Sequence, residues 1–154
     1  MGNLKRETPQ KLSIQTGLKC FQPYDDDDGV IYFNPGDPNI LIRLDEAMDK
    51  IKTAIKDMPE NLQDNDESDL NDTEATVNKV KQVNELIEQQ INHIFDCDAS
   101  SVLFKRFSPL SVSNGVFLID RILEAFAPYI EKETKLARAE QEKRIERYTK
   151  KHHK

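Results

Sequence analysis

Ile40, Leu44, Met48, Ile51, Ile55 and Met58 recur at spacings of 4, 4, 3, 4 and 3 residues. A strand alternates every two residues, so this stripe predicts one face of an amphipathic helix instead. Asp45, Glu46, Asp49, Lys50 and Lys52 take the opposite face. Asp37 stands where an N-cap is needed, and Pro38 at the first helical position, where its missing N–H is harmless. Pro59 is expected to stop the helix. A second stripe follows at Val77, Val80, Val83, Ile87, Ile91, Ile94 and Phe95, with Thr73 as its expected cap. A third apolar stretch covers 116–130, through Phe117, Ile119, Ile122, Leu123, Phe126 and Ile130; Pro128 within it should kink or locally distort the helix.

The short connections agree with this. Residues 96–101 break the second helix, and Asp98 or Ser100 can cap a short helix carrying Val102, Leu103 and Phe104. Ser108-Pro109 and Ser113-Asn114-Gly115 mark the next turn. Ahead of the helices, residues 12–33 read as a β-hairpin. The runs 18–21 and 30–33 are apolar, β-branched or aromatic, and the turn formers of 22–29 separate them. Asp25, Asp26, Asp27 and Asp28 repel one another and are expected in water at the loop tip. A two-stranded hairpin is marginal alone, so it must lie on the helices or pair with another chain, and its edges invite pairing. The expectation is a mainly α fold, with minor β: about four helices, an N-terminal β-hairpin and a protruding charged C-terminal helix.

Charge divides the chain further. The net charge of −6 averages over unlike parts. Residues 1–19 carry four basic residues and one acidic, +3; residues 57–74 carry eight acidic and none basic, −8; residues 131–154 carry nine basic and five acidic, +4. Three regions follow: a basic segment and hairpin over 1–33, a helical core over 34–130 with an acidic flexible linker at 60–72, and a charged C-terminal helix or tail over 131–154. In that last region Glu131 with Lys135 and Glu140 with Arg144 are attractive i, i+4 pairs, whereas Glu142 with Glu146 is repulsive. With few large apolar residues, this helix is expected to extend past the core into solvent or to lie on a partner.

Several function classes drop out. No apolar run approaches the roughly 18–20 residues of a membrane span. Residues 1–10 have charge but no apolar h-region, so no signal peptide is expected. Two cysteines, Cys20 and Cys97, make no disulfide framework and fit a reducing cytosol. With Gly29 as the sixth residue of an EF-hand, Tyr24 would be first and Pro35 twelfth, so both ends fail. That leaves residues 25–28 as a solvated turn, with a weak cation site as the alternative. His93, Cys97, Cys20, His152 and His153 do not close a zinc site, and the cysteines are expected to pack as small buried hydrophobes. There is no nucleophile elbow and no glycine-rich phosphate loop. The residues therefore name no catalytic, cofactor-binding or metal-ligating group. The basic end could touch phosphates, but five acids are interleaved and only Tyr148 could stack, which argues against nucleic acid as the partner. Arg144, Arg147 and Tyr148 fit peptide or subunit recognition better.

From Asp37 onward the layout resembles a known family. Asp37-Pro38-Asn39-Ile40 with Glu46-Ala47-Met48-Asp49-Lys50-Ile51, then Asn84-Glu85 with Ile91-Asn92-His93-Ile94-Phe95-Asp96 and Leu103-Phe104, carry the first two blocks. Phe107-Ser108-Pro109, Gly115-Val116-Phe117, Leu123-Glu124-Ala125-Phe126-Ala127-Pro128-Tyr129-Ile130 and Arg144-Ile145-Glu146-Arg147-Tyr148-Thr149-Lys150 carry the third. Over roughly residues 30–151 this resembles the small tail assembly chaperones of long-tailed phages and prophages of Gram-positive bacteria. One departure is Asp96-Cys97-Asp98, where members of that family often have Gly-Glu-Gly. The resemblance implies a non-enzymatic, cofactor-free protein of the host cytoplasm, absent from the mature virion. Its partners would be the tape measure protein, whose apolar helices it keeps soluble, and tail tube subunits, and it would self-assemble into a homo-oligomer. Phe117, Ile122 and Phe126, with the hairpin edge, are candidate client surfaces, the alternative being that this stripe is core. Two other readings stand beside this one: a structural or scaffold component of the particle, and a nucleic-acid-binding accessory protein using the basic tail.

Overall fold

The computed structural model describes residues 7–58 and 70–152. Helix α1 (Pro38–Lys56) starts as its sequence requires. Asp37 is extended, its side chain accepts the Asn39 N–H at 3.0 Å, and Pro38 sits in the first turn. Ile40, Leu44, Ala47 and Ile51 form the buried face, with Met48, Ile55 and Met58 at its margin. The helix ends at Lys56, and the Asp57 and Met58 N–H groups close the last turn on the Thr53 and Ile55 carbonyls. A residue before proline is pushed out of helical geometry, so the stop precedes Pro59 itself.

Helix α2 (Leu70–Phe95) begins three residues earlier than the expected Thr73 cap. Acidic residues favour a helix N-terminus, where the backbone dipole is positive, and Glu74 lies in these first turns. The stretch read as a linker is thus helical from Leu70; residues 59–69 lie outside the described residues. Val83, Ile87, Ile91, Ile94 and Phe95 are buried, whereas Val77 is exposed. Helices α1 and α2 run antiparallel. Arg43 Nε donates to the Ile94 carbonyl at 3.1 Å at one end, and Ala54 and Asp57 share a groove with Lys79 and Leu86 at the other.

The end of α2 shows how Asp96-Cys97-Asp98 makes its turn. Asp96 takes a left-handed φ of 52°, and the Cys97 N–H returns to the Asn92 carbonyl at 3.3 Å. This is the closure that glycine usually makes at a helix C-terminus, made here by an aspartate. The short helix α3 (Ser100–Leu103) follows. Of the two expected caps, Asp98 accepts the Ser101 backbone N–H, and a second contact comes from α2. Asn92 Oδ1, one turn back in α2, accepts the Ser100 N–H at 2.8 Å, while Asp98 takes the hydroxyls of Ser100 and Ser101.

Strands β1 (Lys19–Phe21) and β2 (Ile31–Phe33) pair antiparallel, with Cys20 opposite Tyr32. Ile31 and Phe33 point into the core and Phe21 packs at its edge, leaving Cys20 and Tyr32 on the outer face. Phe33 sits at the centre of an aromatic cluster. It stacks on Phe21 at 4.4 Å and meets Phe95 at 4.8 Å and Phe126 at 5.9 Å. A second small hairpin joins β3 (Val112–Ser113) to β4 (Val116–Phe117). Asn114 and Gly115 both have positive φ, 53° and 77°, as a two-residue type I′ turn requires. Val116 and Phe117, read from sequence as the opening of the third helix, are therefore strand, because this turn needs a partner for Val112 and Ser113.

Helix α4 (Leu118–His152) is one 35-residue element that continues through Pro128. Its first N–H groups are satisfied from outside: Leu118 bonds to the Ser111 carbonyl and Ile119 to that of Pro109. Ile119, Ile122, Leu123 and Ile130 complete the core. The molecule is mainly α with minor β.

Candidate partner-binding surface

The six residues singled out from sequence fall at two separate places on or beside α4. Ile122 is buried at 6% exposure, and Phe126 packs between Phe33 and Phe95 at 5.9 and 5.0 Å. Phe117 is half-buried at the end of β4. The stripe 117/122/126 is thus built into the body of the fold, the alternative the sequence left open. Arg144, Arg147 and Tyr148 are exposed on the far part of α4. From Phe126 to Arg144 is 18 residues of helix, about 27 Å at ~1.5 Å per residue, so the two groups form no common site.

The far part of α4 leaves the body at a defined point. The Thr134 hydroxyl lies 3.1 Å from the Pro35 carbonyl and 2.7 Å from that of Ile130. One turn on, a Cβ placed on Gly36 would come 3.1 Å from Ala137 Cβ, so the loop before α1 passes as close to the helix as backbone can. Lys19 and Glu133 add an ion pair at 3.8 Å. Beyond Ala137 every residue from 138 to 150 is exposed. That is 13 residues, or about 20 Å of helix exposed along its length. The face that meets the core at Ile130, Thr134 and Ala137 continues as Gln141, Ile145 and Tyr148, at spacings of 4 and 3. Ile145 and Leu136 are exposed apolar residues here that sequence reasoning left off the candidate surface, though the same 3.6-residue spacing points to Ile145. Five basic and three acidic side chains surround this face over 138–150, and Arg138 with Glu142 closes an i, i+4 ion pair at 3.4 Å.

No protein family, curated protein or solved structure matches the chain. What the surface can hold is accordingly read from its own residues. It offers no bound-ion geometry: among the described residues no group of three His, Cys, Asp or Glu is placed to hold a metal ion. Nor is any described helix long and apolar enough to cross a membrane.

The other polar clusters have structural partners. The acidic loop is not uniformly solvated as expected. Asp26 pairs with Arg106 at 2.8 Å, and Asp27, half-buried, accepts the Gly29 N–H at 2.9 Å. The Arg106 hydrogen bond and charge hold the Asp26 carboxyl below the usual aspartate range. Tyr24 donates to the Leu103 carbonyl at 2.8 Å, and burial pushes its phenol up. Both cysteines are exposed, contrary to the expectation of small buried hydrophobes. Cys20 lies on the outer face of a hairpin, and Cys97 lies past the left-handed turn that ends α2. Desolvation and the flanking Asp96 and Asp98 raise the Cys97 thiol, away from the reactive thiolate. His93 reaches Glu46 at 3.5 Å and does not face Cys97 along a helix, because α2 stops at Phe95.

Proposed function

We propose that this chain is a non-enzymatic phage tail assembly chaperone. It binds the tape measure protein, keeps that protein's long apolar helices soluble in the host cytoplasm, and helps recruit tail tube subunits without remaining in the mature virion. The observation that carries the reading is the overhang of α4, thirteen exposed residues continuing a face that is half-buried at Thr134 and Ala137 and buried at Ile130. An isolated helix of this length is marginal in water, and here it is held by the rest of α4. Such a preformed helix can pair with a client helix along Gln141, Ile145 and Tyr148, with Arg144 and Arg147 at the flanks. The resemblance of residues 30–151 to tail assembly chaperones supplies the identity of the client.

Co-expression with the tape measure protein of the same phage or prophage tests this. The expected result is a co-purifying complex and a gain in soluble tape measure protein. The absence of both overturns the proposal, as does recovery of this chain at stoichiometric level in purified virions.

A further inference from the structure

We propose that the extended segment before β1 is an exchange arm, adding as a third strand to the outer edge of β1 in a second copy of this chain. Residues 7–20 are all exposed, and no hydrogen bond ties residues 7–15 to any described residue. Leu12, Ile14 and Leu18 are 81%, 75% and 59% exposed. They alternate with Lys11, Ser13, Gln15 and Gly17, the period of a strand with one apolar face. Residues 9–15 would span about 23 Å at ~3.3 Å per residue, ample to cross a three-residue strand.

The arm cannot serve its own hairpin. The Asn34 side chain donates to the Thr16 carbonyl at 3.0 Å while accepting the Gly36 N–H at 2.9 Å. This holds the root of the arm at Asn34, just past the end of β2. Gly17 has φ 76°, and a Cβ there would lie 3.0 Å from Asn34, so the clamp is specific to glycine.

Charge and side-chain match select a second copy and set its direction. The acceptor hairpin ends in Asp25–Asp28, of which Asp25 and Asp28 are exposed and in no ion pair with a described residue. The segment before β1, residues 1–18, carries three basic residues and one acidic, +2. Placing the basic end of the arm at that acidic tip makes it antiparallel to β1. An even-with-even register then puts Leu12 and Ile14 on the outer face beside Leu18, Cys20 and Tyr32, the last of these 53% exposed. A marginal two-stranded hairpin becomes a three-stranded sheet and its free edge is covered. The contact does not depend on the tape measure protein being the client.

The test uses the full chain with Cys97→Ser and Leu12→Cys, leaving Cys20 in place, oxidised by oxidised glutathione. The expected product is a reducible two-chain species that Cys20→Ser abolishes and that Cys97→Ser alone does not form. Light scattering should give at least two chains for the unmodified protein and one chain after deletion of residues 1–15, with helical circular dichroism retained. Asp25→Asn with Asp28→Asn should weaken the association and its salt dependence. A disulfide confined to one chain, a monomeric unmodified protein, or a mass unchanged by the deletion overturns the proposal.

Discussion

The side-chain oxygen of Asn92 accepts the Ser100 N–H at 2.8 Å across the break between two helices. The carbonyl of the same residue takes the Cys97 N–H, so one residue both ends α2 and starts α3. Asn92→Ala should cost about 1–2 kcal/mol, the usual range for a lost cap, and Asn92→Asp should recover most of it. Urea unfolding at an unchanged m-value measures both. At the same break, Asp96→Ile should cost about 1–2 kcal/mol more, because a β-branched residue resists the left-handed φ.

Ile122 and Ile145 lie on one helix and should respond in opposite ways. Ile122→Ala leaves a cavity in the core and is expected to cost about 2–5 kcal/mol. Ile145→Ala lies on the exposed overhang and should stay within about 0.5 kcal/mol. Thermal melts of the two variants check the contrast directly.

Much of this fold is legible in the sequence, and the exceptions have physical causes. Period 3.6 exposes α1 and α2 because one face of each is buried, and Asp37-Pro38 announces the start of α1 through local chemistry alone. The cap of α3 is legible only in part: Asp98 stands beside it, but Asn92 reaches it from eight residues away in another helix. The burial of Ile122 and Phe126 is decided by Phe33 and Phe95, which arrive from distant parts of the chain. Arg144, Arg147 and Tyr148 were legible as a surface because charge dominates their neighbourhood. The arm at Leu12 and Ile14 carries a plain alternation, but a strand without a visible partner gives the eye nothing to pair it with.

Gly115→Ala isolates backbone strain. A Cβ at Gly115 would meet nothing within 4 Å, so no clash contributes. The left-handed φ of 77° remains, and the expected cost is about 1–2 kcal/mol. Gly115→Asn, which tolerates that region, should cost less, and denaturant midpoints of the pair provide the comparison.

Asp26 should titrate below a free aspartate because Arg106 donates to it and carries the opposite charge. A folded-state pKa lower than the unfolded one, near 3.9, means the contribution to stability is present above that value. It is lost as pH falls through the lowered folded-state value. Arg106→Gln should move the Asp26 carboxyl resonance upward in an NMR pH titration and flatten that part of the acid-unfolding curve.

Arg144→Glu with Arg147→Glu should leave the melting temperature nearly unchanged, since both residues are exposed. The same double variant should lose capture of the tape measure protein in co-expression. Retained capture would place the client elsewhere on the molecule.

Because α4 is one uninterrupted helix from Leu118 to His152, its tip has a fixed angular phase relative to the hydrophobic core. Each residue inserted between Ala137 and Arg144 would advance the tip by about 1.5 Å and turn it by about 100°. Two inserted residues would swing Ile145 and Tyr148 to nearly the opposite side, whereas four would bring them almost back into line. The helix therefore acts as a protractor as much as a spacer. Length changes in this segment should be tolerated in steps near a full turn and rejected between them.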